Sequence, residues 1–161
     1  MKYATINKND FINGEGVSVS LWMQGCPHHC PGCHNPGQWN FDGGQEKEWL
    51  QVVEEITTAI TANGIQRNFS VLGGEPLCEE NILWTMAILD LIKHEFPNIK
   101  TFVWTGYTLE ELQTKHPLLI SDVLKYTDVL IDGRYEQSLR DITLKWRGSS
   151  NQRILYKGID F

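Results

Sequence analysis

Long apolar runs and an excess of positive charge are both missing from this sequence of 161 residues. No segment approaches the roughly 20 apolar residues that a membrane-spanning helix needs, and residues 1–10 lack the apolar core of a secretory signal. We therefore expect a cytoplasmic protein with no membrane partner. The formal net charge of −6 argues against nucleic acid as a partner, because sequence-independent binding depends on Lys and Arg facing the phosphates.

Repeats, low-complexity segments and linkers rich in Pro, Gly or Ser are also absent. A chain of this length can bury one core and is too short for two ordinary domains, so we expect residues 1–161 to form a single domain. Within residues 134–157 the basic residues outnumber the acidic ones. That segment is either a solvated surface or a docking face for an acidic partner or ligand.

Cysteine is scarce, but three of the four cysteines stand within eight residues, as Cys26, Cys30 and Cys33 in a C-x3-C-x2-C pattern. Cytoplasmic thiols stay reduced, so clustered cysteines there bind metal or do redox work more often than they form disulfides. Three thiolates on so short a segment can ligate three corners of a [4Fe–4S] cluster, which usually takes four cysteines. One iron would then be left open. We expect Cys78 to be an unliganded, partly buried thiol.

Zinc is the alternative for this cysteine segment. His28, His29 or His34 would complete a Cys3His tetrahedron. Compact zinc sites usually use C-x2-C pairs, so the spacing favours the cluster without excluding zinc. Otherwise a histidine here is a polar loop residue or an outer hydrogen-bond donor to cluster sulfur.

Strand-like and helix-like patterns alternate along the chain. The predicted strands cover residues 17–23, 69–72, 101–104 and 128–131. The predicted helices cover residues 46–63 and 80–95, and a short one begins at Thr108, where Glu111 has capping-box spacing. This alternation predicts parallel βαβ units and an α/β fold. A closed eight-fold barrel needs roughly 200 residues or more, so the length permits an incomplete, open barrel or sheet.

Four loops follow predicted strands: the cysteine loop, residues 73–76, residues 105–107, and Asp132-Gly133. Active groups in such folds lie on loops at the carboxyl ends of the strands. If the strands are parallel, these loops meet at one edge of the sheet.

The order of two motifs resembles the radical S-adenosylmethionine superfamily: C-x3-C-x2-C directly after an early strand, then Gly73-Gly74-Glu75-Pro76 after the next. The resemblance implies a partial radical S-adenosylmethionine βα barrel with parallel strands. It also implies a [4Fe–4S] cluster, held by the three clustered cysteines, whose open iron binds S-adenosylmethionine. Gly73 and Gly74 would let the backbone approach this ligand, Glu75 would balance its ammonium group, and backbone groups of Gly32, Cys33 and His34 would hold the adenine.

Further stretches narrow this resemblance. Cys33-His34-Asn35-Pro36, with Trp39 soon after, resembles glycyl-radical activating enzymes. The stretches at residues 104–107, 131–135 and 146–153 are similar to activating proteins of anaerobic ribonucleoside-triphosphate reductases. The resemblance implies that reductive cleavage of S-adenosylmethionine yields a 5′-deoxyadenosyl radical, which creates a glycyl radical on the reductase as protein partner. An external one-electron donor such as reduced flavodoxin would supply the electron, and no side-chain base would be needed.

Asp132 and residues 146–153 are candidates for contacts with the cosubstrate or the partner. Two other functions stay open at this point. One is a small radical enzyme acting on a small molecule, similar to carboxydeazaguanine synthases. The other is a zinc-stabilised interaction module without catalysis.

Overall fold

A computed structural model of the chain describes residues 1–161 and contains seven strands and four α-helices. The strands are β1 (Lys2–Asp10), β2 (Ser18–Met23), β3 (Gln45–Glu46), β4 (Asn68–Gly73), β5 (Thr101–Trp104), β6 (Val129–Asp132) and β7 (Arg153–Tyr156). The helices are α1 (Trp49–Ile60), α2 (Ile82–Glu95), α3 (Leu109–Lys115) and α4 (Pro117–Lys125). None of these helices combines the length and the hydropathy needed to cross a bilayer.

All seven strands belong to one mixed sheet in the order β3-β1-β2-β4-β5-β6-β7. The four central strands, β2, β4, β5 and β6, are parallel to one another. The flanking pairs β1–β2, β1–β3 and β6–β7 are antiparallel. The sheet ends at β3 on one side and at β7 on the other, so it is an open α/β sheet and not a closed barrel.

The register of the parallel strands aligns their apolar side chains in rows across the sheet. Leu21 is paired with Val71, Val71 with Val103, and Val103 with Leu130. All four are fully buried and belong to the main core, together with the buried residues of α1, α2, α3 and α4. Because side chains alternate along a strand, the four helices therefore cover one face of the sheet.

No helix contributes to the core on the opposite face of the sheet. Its apolar part is a smaller cluster of Phe102, Val129 and Ile131, against which Trp104, Trp146 and Ile154 pack. By the same alternation, Ser18, Ser20 and Ser70 lie on this face, and all three are buried. The segment before β7 covers this side of the sheet, since Trp146 donates its indole N–H to the Gly14 carbonyl at 3.1 Å.

The predicted elements are confirmed, and their bounds differ by a few residues. The predicted helix at 46–63 is α1 followed by a single 3-10 turn, Ala62–Gly64. The predicted capping box forms in full: Thr108 accepts from the Glu111 amide, and the Glu111 carboxylate accepts from the Thr108 amide. The predicted parallel arrangement of the four strands is also confirmed.

Four elements have no counterpart in the sequence-based prediction: β1, β3, β7 and α4. The three strands lie outside the parallel centre and are antiparallel additions to it. A largely polar segment such as Lys2–Asp10 becomes a strand because β2 offers it a hydrogen-bonding edge, which local patterning does not reveal. Helix α4 follows α3 after His116 alone, with Pro117 as its first residue, a position that proline favours.

A buried carboxylate attaches β7 to its neighbours. Asp132 is fully buried, and it accepts from the Leu109 amide at 2.8 Å and from Arg153 Nε at 2.9 Å. Arg153 also pairs with Glu110 at 2.7 Å. Asp132 therefore binds the chain's own Arg153. Its contact with the cosubstrate or the partner stays a prediction.

Replacing Arg153 with alanine should destabilise the protein, because Asp132 would remain buried without its cation. We expect the free energy of unfolding to fall by about 3 kcal/mol, at the low end for a broken buried pair, since water reaches part of the guanidinium. Chemical denaturation measures this change. Arg140→Ala is the control, because Arg140 is exposed and its loss should change the value by less than about 0.5 kcal/mol. Equal stability of the two variants would contradict this account.

The same variant has a defined pH dependence. Hydrogen bonds from Arg153 lower the pKa of Glu110 from 4.5 to about 2. A depressed carboxyl pKa gives stability that is present above pH 4.5 and is lost as the pH falls towards 2. The stability difference between wild type and Arg153→Ala should therefore shrink in that interval.

Candidate functional site

A cavity of about 230 Å³ lies at the carboxyl ends of the parallel strands. Each of the four loops expected at this edge contributes to its wall, with Cys26, Gly73, Thr105 and Gly133 as examples. The expectation that these loops meet is confirmed. Parallel strands place the loops there, because every central strand ends at the same edge.

The cysteine loop, residues 25–35, is held by backbone hydrogen bonds. The Gly25 amide donates to the Gln38 carbonyl at 2.9 Å, and the Cys26 amide donates to the Trp39 carbonyl at 3.1 Å. Within the loop, the Cys33 amide donates to the Cys30 carbonyl at 3.1 Å. Cys26, Cys30 and Cys33 all line the cavity, and none of them forms a disulfide.

The surroundings of these sulfurs combine burial with amide donors. Burial raises the pKa of the Cys26 thiol to about 11, against hydrogen bonds from the His28 and His29 amides. Burial also raises the pKa of Cys30, which receives a backbone hydrogen bond from Tyr135. The Asn35 amide donates to Cys33 Sγ at 3.4 Å. Amide donors directed at cysteine sulfur are among the features that tune iron–sulfur clusters.

Cys78 lies apart from the other three cysteines. Its side chain is buried, it does not line the cavity, and its Sγ donates to the Glu75 carbonyl at 3.1 Å. Burial raises the pKa of this thiol to about 12. The cavity therefore contains three thiols and no fourth.

The glycine turn after β4 lies in backbone contact with the cysteine loop. The Gly74 amide donates to the Met23 carbonyl at 2.9 Å, and the Glu75 amide donates to the Gly25 carbonyl at 2.8 Å. A Cβ atom at position 74 would lie 2.3 Å from the Gly25 oxygen. Gly73 has a φ of +104°, where side chains are disfavoured. The close approach of the two loops is thus sufficient to require glycine at positions 73 and 74, even without a ligand in the cavity.

Glu75 is fully buried, and its carboxylate accepts four hydrogen bonds. Oε1 accepts from the Leu77 amide at 2.9 Å and from Thr105 Oγ1 at 2.8 Å. Oε2 accepts from the Gly106 amide at 2.7 Å and contacts His28 Nε2 at 2.9 Å. We call Glu75 with these four partners the Glu75 network. Two oxygens offer about four acceptor directions, so the network uses them all.

The three histidines of the cysteine loop have separate surroundings. His28 contacts Glu75, His29 packs edge-on against Trp39, and His34 packs against Tyr135 with 5.5 Å between ring centroids. The structure contains no group of three or more His, Cys, Asp or Glu side chains placed to hold a single metal ion.

Among the remaining candidate positions, Gly32 lies outside the cavity wall and His34 belongs to it. Gly32 is exposed and does not line the cavity. It has a φ of +73°, and a Cβ atom there would lie 2.8 Å from Gln137 Cδ. His34 does line the cavity, as do Trp146, Gly148 and Gln152 from the segment 146–153.

Several wall residues were not predicted from the sequence to be site residues. Asn13, Trp22, Trp104 and Tyr135 line the cavity beside the predicted residues. Trp22 and Trp104 follow from strand alternation once the helix face is known, because each lies on the opposite face from its neighbours. Tyr135 reaches the site through the loop after β6, and its only signal was the resemblance of residues 131–135.

The donor set fits a [4Fe–4S] cluster with one open iron. Three free thiols share one wall with amide donors around them, and soft thiolates are the usual ligands of iron–sulfur clusters.

Comparison with known proteins agrees with this chemistry. The family model described as a 4Fe-4S single cluster domain matches residues 12–155. A protein of Pasteurella multocida named anaerobic ribonucleoside-triphosphate reductase-activating protein is 40% identical over 161 residues, covering 98% of each chain. The protein of that name from Escherichia coli K12 is 36% identical, over 96% of this chain and 97% of its own.

The enterobacteria phage T4 protein of the same name is 37% identical over 154 residues, covering 96% of this chain and 93% of its own. The match extends over nearly the whole chain and includes the cysteine loop, the glycine turn and the segment before β7. This chain therefore belongs to the family of anaerobic ribonucleoside-triphosphate reductase-activating proteins.

Proposed function

We propose that this protein activates an anaerobic ribonucleoside-triphosphate reductase by creating a radical on one of its glycine residues. One observation carries the proposal: three thiols without a fourth line a cavity beside a glycine turn, at the carboxyl edge of the parallel strands. Membership of the family of activating proteins supports the identity of the protein substrate.

Cys26, Cys30 and Cys33 would hold three irons of a [4Fe–4S] cluster, and the fourth iron would bind S-adenosylmethionine. When bound, this pair would supply the radical chemistry. With one electron from a donor such as reduced flavodoxin, S-adenosylmethionine would be cleaved into methionine and a 5′-deoxyadenosyl radical, which would take a hydrogen atom from the glycine α-carbon. The hydrogen leaves as an atom, so no side-chain base is required. The protein itself would bind and orient the cluster and S-adenosylmethionine, and it would exclude competing reactions.

The glycine turn and Glu75 would recognise the amino end of S-adenosylmethionine. Gly73 and Gly74 expose backbone at the cavity wall. Glu75 also lines the cavity, and it would contribute a negative charge and not a further hydrogen bond, because its acceptor directions are already used. Backbone groups of Cys33 and His34 would hold the adenine, with Gly32 supporting the loop from outside.

The sheet would be the partial barrel of the radical S-adenosylmethionine superfamily, formed by residues 1–161 as one domain. Two features support this: all four helices lie on one face of the sheet, and the cavity opens on the other. An open sheet leaves one side free for a segment of the reductase to enter. A closed barrel would not admit a macromolecular substrate in this way.

The direct test of the proposed function is electron paramagnetic resonance of the mixed proteins. Anaerobically reconstituted protein, S-adenosylmethionine and reductant should produce a glycyl doublet on the anaerobic reductase. Omitting S-adenosylmethionine is the control and should abolish the signal. Colourless protein with one zinc per chain, or ring contraction of a pterin substrate instead of a glycyl signal, would refute the proposal.

Alanine at Cys26, Cys30 or Cys33 should abolish both cluster assembly and glycyl radical formation, because two thiolates cannot hold the cluster with one iron open. Iron and acid-labile sulfide per chain, with visible absorbance, measure assembly. Cys78→Ala is the matched control and should keep both properties, since Cys78 lies outside the cavity wall. A Cys78→Ala protein without iron would show that the ligand assignment is wrong.

Gly74→Ala should slow glycyl radical formation by roughly 100-fold, because the added Cβ forces the turn and the cysteine loop apart by about 1 Å. Its contact with the Gly25 oxygen would otherwise be 2.3 Å. Gly37→Ala adds the same methyl group where nothing lies within 4 Å, and it should leave the rate unchanged. Rapid-freeze sampling of the glycyl signal gives the rates. Similar rates for both variants would mean that the close approach of the two loops does not matter.

A further inference from the structure

His28 lies between two of the clustered cysteines, and its side chain points into the protein. Only 5% of the side chain is exposed, although the neighbouring His29 is exposed. The imidazole lies beside Gly106, where a Cβ atom would be 2.4 Å from His28 Cδ2. The Tyr107 ring contacts it edge-on, at 4.4 Å between centroids. A loop histidine held this closely has a defined position, unlike a solvated polar residue.

The hydrogen bonds of His28 define its tautomer. Arg134 Nε donates to His28 Nδ1 at 3.2 Å, so Nδ1 must carry the lone pair. The proton is therefore on Nε2, which donates to Glu75 Oε2 at 2.9 Å. Both ring nitrogens are used. His28 cannot become a metal ligand without losing one of these partners.

Through His28, the cysteine loop is joined to three other loops at the edge of the sheet. Glu75 belongs to the turn after β4, Gly106 to the loop after β5, and Arg134 to the loop after β6. The Glu75 network already connects the first two of these through Thr105 and the Gly106 amide. His28 is the side chain that attaches the cysteine loop to this network.

We infer that His28 is a positioning residue, which holds Cys26 and Cys30 in the geometry of the cluster site by donating from Nε2 to the buried Glu75 carboxylate. This inference rests on the proposed function, because it assigns the purpose of the contact to the cluster. Groups that orient metal ligands from outside typically change metal affinity 10–100-fold when they are removed. The effect should therefore be visible in cluster stability as well as in activity.

The test compares three variants after anaerobic reconstitution. His28→Asn has an amide too short to reach Glu75, whereas His28→Gln can place its Nε2 where the imidazole Nε2 lies. His29→Asn is the matched control, since asparagine tolerates the φ of +47° at that position. The readouts are iron content, the rate of iron loss to a chelator, and the electron paramagnetic resonance spectrum of the reduced cluster.

We expect His28→Asn to lose iron about tenfold faster than wild type and to alter the spectrum. His28→Gln should restore both towards wild type, which a requirement for imidazole packing alone would not do. His29→Asn should match wild type. Wild-type kinetics and spectrum in His28→Asn, or failure of His28→Gln to restore them, would overturn the inference.

Gly106→Ala provides a second route if His28→Asn does not fold, as judged by the melting temperature of the metal-free protein. Its methyl group would displace the imidazole while every residue of the cysteine loop stays unsubstituted, and it should also accelerate iron loss. Unchanged iron loss in Gly106→Ala would count against the inference. A wild-type protein that takes up no iron would instead refute the proposed function, so the two failures are distinguishable.

Discussion

The buried carboxylate of Glu75 is the group on which the arrangement of the site depends. A charge without partners in the protein interior is strongly unfavourable. Here four donors from three loops satisfy it, and hydrogen bonds to charged groups contribute about 1.5–3 kcal/mol each. The Glu75 carboxylate therefore holds the loops after β4 and β5 and the cysteine loop in one arrangement. The cavity wall has a defined shape before any cofactor binds.

The open sheet makes this site accessible. Helices protect only one face, so the other is covered by the loop before β2 and by the segment before β7. Trp146 connects these two regions: it donates to the Gly14 carbonyl, and its own carbonyl accepts from Trp104 at 2.8 Å. Its φ of +59° is unusual for a tryptophan. The pairing of Arg153 with Asp132 fixes the end of this segment, so wall residues such as Gly148 and Gln152 depend on an ion pair outside the cavity.

Local sequence predicted the centre of the fold well and its margins poorly. Strands β2, β4, β5 and β6 are recognisable because each alternates or is β-rich and ends in a turn signal. Helix α3 is recognisable because Thr108 and Glu111 form a capping box. Strands β1, β3 and β7 were missed because their conformation comes from pairing with a neighbouring edge. The same limit applies to Tyr135, which reaches the cavity only through the path of its loop.

The sequence alone determined the chemistry of this protein: three thiols at a spacing suited to one cluster, a glycine turn after the next strand, and the alternation that makes the central strands parallel. Only the tertiary structure decided how those groups are held. In the folded protein Asp132 pairs with Arg153, and Gly32 lies outside the cavity wall. All the acceptor directions of Glu75 are occupied, and the His28 side chain points inward while His29 faces solvent. The reason is physical: residue type and spacing set which bonds a group can make, whereas the choice among partners depends on burial and on contacts between residues far apart in the chain.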